Sequence, residues 1–157
     1  MTGTLEVRPA DPFAPESIRL IDELWRELGA LYPEVKGAPF RSTDISGKRT
    51  AFVVAWLNDA AVGCGAFQPL TNDDETSIAE IKRMYVQPSV RGRGIARAIL
   101  MKLEQLASDC GYEIVRLETG KLQPAAIHLY QTLGYHEIDP YGRYAEDPLS
   151  ICFEKTL

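Results

Sequence analysis

Ile81-Lys82-Arg83-Met84-Tyr85-Val86-Gln87-Pro88-Ser89-Val90-Arg91-Gly92-Arg93-Gly94-Ile95-Ala96-Arg97-Ala98-Ile99-Leu100 is the stretch on which the rest of the chain depends. It reads as a strand, an arginine- and glycine-rich turn, and the first turns of a long helix. A turn of this make-up at a helix start aims unpaired backbone N–H groups, the positive end of the helix dipole and two guanidinium groups at one point. Such a point suits a phosphate.

Working outward, the strand covers Ile78 to Val86. The helix runs from about Gly94 to Cys110, with Ile95, Ile99, Leu103 and Leu106 on its inner stripe and Gly111 placed to stop it. Glu113–Glu118 follows as a strand, and a strand–helix–strand run of this length predicts parallel neighbours. A second helix spans Gln123 to Gly134, with Pro124 in its first turn. Tyr135–Ile138 and Leu149–Lys155 are closing strands. Upstream, Thr4–Arg8 alternates as a short strand ended by Pro9 and Pro12. Pro15 and Glu16 start a helix whose apolar stripe is Ile18, Ile21, Leu24, Trp25, Leu28 and Leu31.

Glu34 to Arg49 is a loop with a short helix, of the kind that lines a substrate entrance. Ala51–Leu57 and Ala61–Phe67 form a tight hairpin about Asn58-Asp59, and Gly63 and Gly65 share a face that something bulky approaches. Thr71–Thr76 is an acidic, solvated connection. The fold class is therefore α/β (α+β): one domain over residues 1–157, with a mixed, mostly antiparallel sheet, one central parallel strand pair and helices on both faces.

The chain has 157 residues, enough for one domain burying about 70% of its unfolded surface. Hydrophobic residues at 45% and charged residues at 25% argue against disorder, and the net charge of −5 argues against nucleic acid as the main partner. Met1–Pro9 lacks the basic-then-apolar pattern of a leader, and no apolar run reaches the ~18 residues of a membrane span, so a cytoplasmic protein is expected. Cys64, Cys110 and Cys152 have no C-x-x-C spacing, and only His128 and His136 could join them, so neither a metal site nor a disulfide framework is expected.

Three phosphate motifs compete for the turn. The Walker loop fails for want of a Lys-Ser/Thr pair. The dinucleotide fingerprint fails at Arg97, where helix and strand must pack closely, and only one strand–helix–strand unit is present. Arg91-Gly-Arg-Gly-Ile-Ala96 matches [Gln/Arg]-x-x-Gly-x-[Gly/Ala], and with Ala79-Glu-Ile before it and Ala126-x-x-Leu-Tyr-x-x-Leu-Gly-Tyr135 after it the chain resembles the GCN5-related N-acetyltransferase (GNAT) family over roughly Ala79 to Tyr135. Leu117–Ala126 and the tail Asp147–Lys155 resemble a bacterial subgroup often labelled acetyltransferases, some members of which carry a label for indole-3-acetic acid.

The resemblance implies acetyl-CoA as cosubstrate and a small-molecule amine as acceptor, with neither nucleic acid nor membrane as partner; a homodimer is left open. It implies that the strand before the turn is kinked by a bulge and splays from its parallel neighbour, with Met84, Tyr85 and Val86 along the pantetheine arm and the Val86 N–H toward the thioester oxygen. The pyrophosphate would rest on Arg91, Gly92, Arg93, Gly94, Ile95 and Ala96. Gln123, where relatives often carry Asn, would meet the pantetheine amides but is a poorer helix cap. Ala126 belongs to the same helix motif.

Glu80 stands at the register of the catalytic glutamate of histone-acetylating relatives, and alternation puts it on one strand face with Met84 and Val86. Glu118, near the end of the neighbouring strand, is the second candidate base; both could instead be strand-end carboxylates paired with Lys82, Arg83 or Arg116. Tyr130 matches the family tyrosine that points at the cofactor sulfur and serves as acid. Tyr135 is read as structural, and His128 as facing away from Tyr130. Trp25, Tyr32, Phe40, Arg41, Tyr141, Arg143 and Tyr144 are candidates for the acceptor pocket, the arginines suiting a carboxylate and the aromatics a hydrophobic amine. No cysteine sits where an acyl-enzyme would need it, so direct attack in a ternary complex is expected. The alternatives are a non-catalytic acyl-CoA-binding module, a protein or peptide acceptor, and a donor such as succinyl- or propionyl-CoA.

Overall fold

In the computed structural model, residues 3–35, 37–71, 73 and 75–157 are described. Met1 and Thr2 of the amino-terminal stretch, Lys36 of the entrance loop, and Asn72 and Asp74 of the acidic connection lie outside them. The strands are β1 (Leu5–Pro9), β2 (Ala51–Leu57), β3 (Ala60–Pro69), β4 (Ile78–Val86), β5 (Ile114–Gly120), β6 (His136–Ile138) and β7 (Ser150–Thr156). The helices are α1 (Pro15–Leu31), α2 (Ile95–Asp109) and α3 (Pro124–Thr132), and the entrance loop holds a 3-10 turn at Ser42–Ile45. One sheet runs β1-β2-β3-β4-β5-β7-β6. Only β4 and β5 pair in parallel among the described residues, as the strand–helix–strand reading requires.

Two cores cover the two faces. On one, α1 packs Leu20, Ile21 and Leu24 against Phe52, Val54, Cys64 and Tyr85. On the other, Ile95, Ile99, Leu100 and Leu103 of α2, with Tyr130 of α3, pack on Val53, Phe67, Val115 and Phe153. The bulky group that meets the paired glycines is α2 itself. A Cβ on Gly65 would lie 2.7 Å from Ile99 Cγ2 and 2.9 Å from Leu103 Cδ1. Leu103 is fully buried in this contact. Leu103→Ala should therefore cost about 3 kcal/mol, by lost transfer energy plus a cavity that the glycine face cannot collapse into. Chemical denaturation with an unchanged m-value is the measurement, and a loss under about 1 kcal/mol would mean that the helix relaxes onto the sheet.

The stripe read for α1 is correct in period but wide in phase. Ser17, Leu20, Ile21 and Leu24 are buried, whereas Ile18 is 50% and Leu31 38% exposed. Ser17 takes an inner position because its hydroxyl donates to the Asp11 carbonyl at 2.7 Å. A buried hydroxyl with a partner costs little, and an apolar tally passes over it.

Between the pairs Cys64–Tyr85 and Ala66–Lys82, β4 carries one residue more than β3. The bulge sits at Arg83, which adopts φ +59°. It reverses the side-chain alternation of the strand. Met84 and Val86 turn to the α2 core, while Lys82, Arg83 and Tyr85 stay with Glu80 on the α1 face, where Arg83 reaches Asp44 and Tyr85 reaches Glu23. The expectation that Glu80 shares a face with Met84 and Val86 is thus corrected, since strict period-two counting fails across an inserted residue.

Beyond the bulge the sheet opens. The β4–β5 ladder ends at the pair Glu80–Arg116, after which β4 continues along β3 and β5 continues along β7. No helix among the described residues is long and apolar enough to cross a membrane.

Candidate active site

The opening between β4 and β5 becomes a cleft of about 1690 Å³ that continues from the turn before α2 to the carboxyl ends of the two strands. At its first end, Gly92 and Gly94 adopt φ +81° and +78°, and nothing lies within 4 Å of where their Cβ atoms would be. Gly94 is the N-cap of α2 and supplies no side chain to cap it. The first-turn N–H groups of the helix therefore face the cleft with the dipole behind them, an arrangement that fits a pyrophosphate.

Arg91 does not aim at this point. Its Nε donates to the Val86 carbonyl at 2.8 Å and its terminal nitrogen pairs with Glu27 at 2.5 Å, which ties the end of β4 to α1. Arg93 and the backbone of Gly92 to Ala96 remain at the seat. In the middle of the cleft, the Gln87 N–H donates to the Val62 carbonyl. Gly63 and Val86, one step along, therefore form the non-hydrogen-bonded pair of the antiparallel ladder. The Val86 N–H accordingly points away from β3 and into the opening. Met84 and Val86 border the opening while their side chains pack on the α2-side core, Val86 buried in it and Met84 partly buried against it.

The far wall is β5, α3 and the turn between them. Gln123 is the N-cap of α3 without a side-chain cap bond, as its chemistry implied. Its Oε1 instead accepts from the Gly120 N–H at 3.2 Å and the Tyr32 hydroxyl at 3.4 Å. Tyr32 also accepts from the Leu122 N–H at 3.2 Å, so the end of α1 is latched across the cleft to the β5–α3 turn. Ala126 is half-buried against the α2-side core. Tyr130 is 5% exposed, wedged between Tyr135 and Phe153, and its hydroxyl has no hydrogen-bond partner among the described residues. Burial, with the nearby Glu118 charge, pushes its pKa up. Tyr135 donates to Glu104 at 2.7 Å, and exposed His128, expected to face away from Tyr130, borders the same cleft.

Two carboxylates face the chamber beyond. Glu80 is enclosed by two donors, the Tyr141 hydroxyl at 2.9 Å and Lys82 Nζ at 3.3 Å. Glu118 accepts from the Ser150 hydroxyl at 2.6 Å, and burial raises its pKa above the ordinary carboxylate range against the pull of Ser150 and Lys82. Of the pairings foreseen for these carboxylates, only Lys82–Glu80 forms. Arg116 pairs with Glu154 at 3.3 Å and Arg83 with Asp44 at 3.5 Å. Trp25, Tyr32, Phe40, Arg41, Tyr141, Arg143 and Tyr144 all line this chamber. Ser150 and the chamber-facing Arg83 were not legible as site residues. Ser150 is set by the β5–β7 register, in which it faces Gly120, and Arg83 by the bulge.

The profile of the acetyltransferase (GNAT) family matches residues 18–135. The chain belongs to that family. GNAT membership makes it an acyltransferase with acetyl-CoA as cosubstrate. A protein of Azospirillum brasilense named IAA acetyltransferase is 38% identical over 146 residues, 93% of this chain and 94% of its own. A Klebsiella pneumoniae structure placed among the acyl-CoA N-acyltransferases superposes with a TM-score of 0.76 at 30% identity, covering 98% of this chain and 97% of that one. The GNAT acetyltransferase of Elizabethkingia anophelis, solved with acetyl-CoA bound, has the same fold, with a TM-score of 0.67 at 18% identity over 98% of each chain.

Proposed function

We propose that this GNAT protein transfers the acetyl group of acetyl-CoA to the amine of a small molecule, by direct attack with both substrates bound. The observation that carries the reading is the opened β4–β5 ladder, which joins an uncapped helix start to a chamber holding two carboxylates. Gly92 to Ala96 and Arg93 hold the pyrophosphate, and the backbone of Met84, Tyr85 and Val86 with Gln123 aligns the pantetheine arm. Acetyl-CoA supplies an activated acyl group. The Val86 N–H stabilises charge on its carbonyl oxygen.

Glu118 takes the proton from the amine. A base works best with a pKa near the working pH, and burial moves Glu118 in that direction, whereas Glu80 is engaged in positioning Tyr141 and Lys82. Tyr130 stays protonated and donates a hydrogen bond to the leaving sulfur. No thiol favours an acyl-enzyme: Cys64 is fully buried with its pKa pushed up to about 12, Cys152 is buried, and Cys110 caps the far end of α2. The latch from Tyr32 and the Trp25–Phe40 pair, with ring centroids 5.0 Å apart, wall the chamber and favour a small acceptor over a folded protein surface.

The direct check is thermal shift followed by turnover. Acetyl-CoA at about 100 times its Kd should stabilise the protein by about 2.7 kcal/mol, NAD should not, and a screen of small amines should release CoA thiol. Stabilisation without thiol release from any small amine, but with release on a peptide amine, would replace this acceptor class.

A further inference from the structure

Not every cation of the acceptor chamber meets a carboxylate at contact. Lys82 pairs with Glu80. Asp44 is shared by Arg41 and Arg83, each at 3.5 Å, a long contact for either. Arg143 has no carboxylate within 4.0 Å among the described residues, and its terminal nitrogen donates to the Tyr144 hydroxyl at 3.3 Å. The same hydroxyl accepts from Lys82 Nζ at 2.8 Å, so two cations converge on one phenol oxygen.

Arg83 is the other under-served cation. Its side chain is 12% exposed, its Nε–H is buried with no partner among the described residues, and its guanidinium lies 3.7 Å from the centroid of the Phe40 ring. Burial lowers its pKa and repulsion from Arg143 adds to the effect. Arg143 is held as a cation by Tyr144 and by the more distant charges of Glu80 and Glu118, and Asp44 favours charged Arg83, but the two guanidinium groups still repel, and an anion between them would offset that repulsion.

We infer that the acceptor carries a carboxylate as well as its amine, and that this carboxylate seats between Arg83 and Arg143 beside the Tyr144 hydroxyl. A planar guanidinium pair matches a carboxylate fork. A dianion such as a phosphate would meet Asp44, Glu80 and Glu118 around the same chamber, which favours the single charge. The amine then lies toward Glu118, and Trp25, Phe40, Tyr141 and Tyr144 border an apolar body between the two ends. This rests on the acetyl-transfer reading for the amine but not for the anion seat.

The test has two arms. The first compares L-amino acids and simple amino carboxylates as acceptors, each against its carboxamide and its decarboxylated amine, by thiol release. The best carboxylate should exceed its matched carboxamide about 10-fold or more in kcat/KM. Arg143→Gln should bring that ratio close to one, and Arg143→Lys should restore part of it. Arg83→Gln serves as a second variant, with melting curves to confirm folding. The second arm titrates CoA-saturated protein with N-acetylated amino acids and their carboxamides, and the carboxylates should bind tighter in the wild type but not in Arg143→Gln. Absence of a carboxylate preference in both arms, or a preference that survives both substitutions, overturns the inference. Carboxylate binding lost in Arg143→Gln with no thiol released from any amine upholds the anion seat and overturns acetyl transfer to an amine.

Discussion

Glu118→Gln should lower kcat/KM about 1000-fold at pH 8 while leaving acetyl-CoA binding in place, within the range that a positioned general base contributes. The carboxyl lies near the end of β5 with burial raising its pKa, and Ser150 fixes the rotamer through its 2.6 Å hydrogen bond. A base acts when deprotonated. The rising limb of the wild-type pH–rate profile should therefore lie above the ~4.3 of an ordinary glutamate, and the variant should lack that limb.

Stability gives an independent sign. A carboxyl whose folded pKa is raised binds more protons folded than unfolded, so stability falls as pH rises from the unfolded toward the folded pKa and stays lower above it. Glutamine removes that term and still accepts from Ser150. Glu118→Gln should thus melt no lower than the wild type at pH 8, which separates lost chemistry from lost structure. Glu80→Gln, which disturbs Tyr141 and Lys82, should cost only about 10-fold by misplacing the acceptor. If instead the rising limb persists in Glu118→Gln and disappears in Glu80→Gln, the two carboxylates exchange roles.

Tyr130→Phe should lower kcat about 100-fold, the loss typical of removing one donor from a developing negative charge. The phenol is buried against Tyr135 and Phe153, and both burial and Glu118 oppose its ionisation. Full proton transfer from such a phenol to a thiolate of ordinary pKa, about 8.5, is uphill. In the proposed mechanism the side chain would therefore act as a hydrogen-bond donor to the sulfur rather than as a strong acid. The core around Tyr130 is apolar, so phenylalanine fits it and the unfolding free energy should hold within the ±0.5 kcal/mol of a benign substitution. Single-turnover rates with saturating acetyl-CoA measure the effect, and an unchanged rate would leave Tyr130 a packing residue.

Local chemistry made the open helix start readable. Gly92 and Gly94 take left-handed conformations at a helix start, and glycine there leaves the backbone open, a demand that residue type alone reveals. Arg91 looked like part of the same seat because guanidinium and phosphate attract. Which anion an arginine meets is decided by what folds beside it, and here Glu27 of α1 arrives from 64 residues away along the chain.

Glu80 and Glu118 were legible as a pair of strand-end carboxylates, but not their ranking. That depends on burial and on Tyr141, Lys82 and Ser150, brought in by the 141–147 loop, the bulged strand and β7. Alternation failed at Arg83 because a bulge depends on the pairing of two strands and leaves no mark in the periodicity of one.

Sequence alone determined the strand–turn–helix whose open start suits a pyrophosphate, the parallel neighbour of that strand and the tyrosine helix beyond, since each follows from interactions among residues close in the chain. Tertiary structure decided where the β4–β5 ladder stops, which face Arg83 shares with Glu80, which carboxyl is held up by burial and which cations lack a partner. Those properties belong to groups that meet only after distant segments pack, and their energies come from desolvation and charge at short range, which no single segment contains.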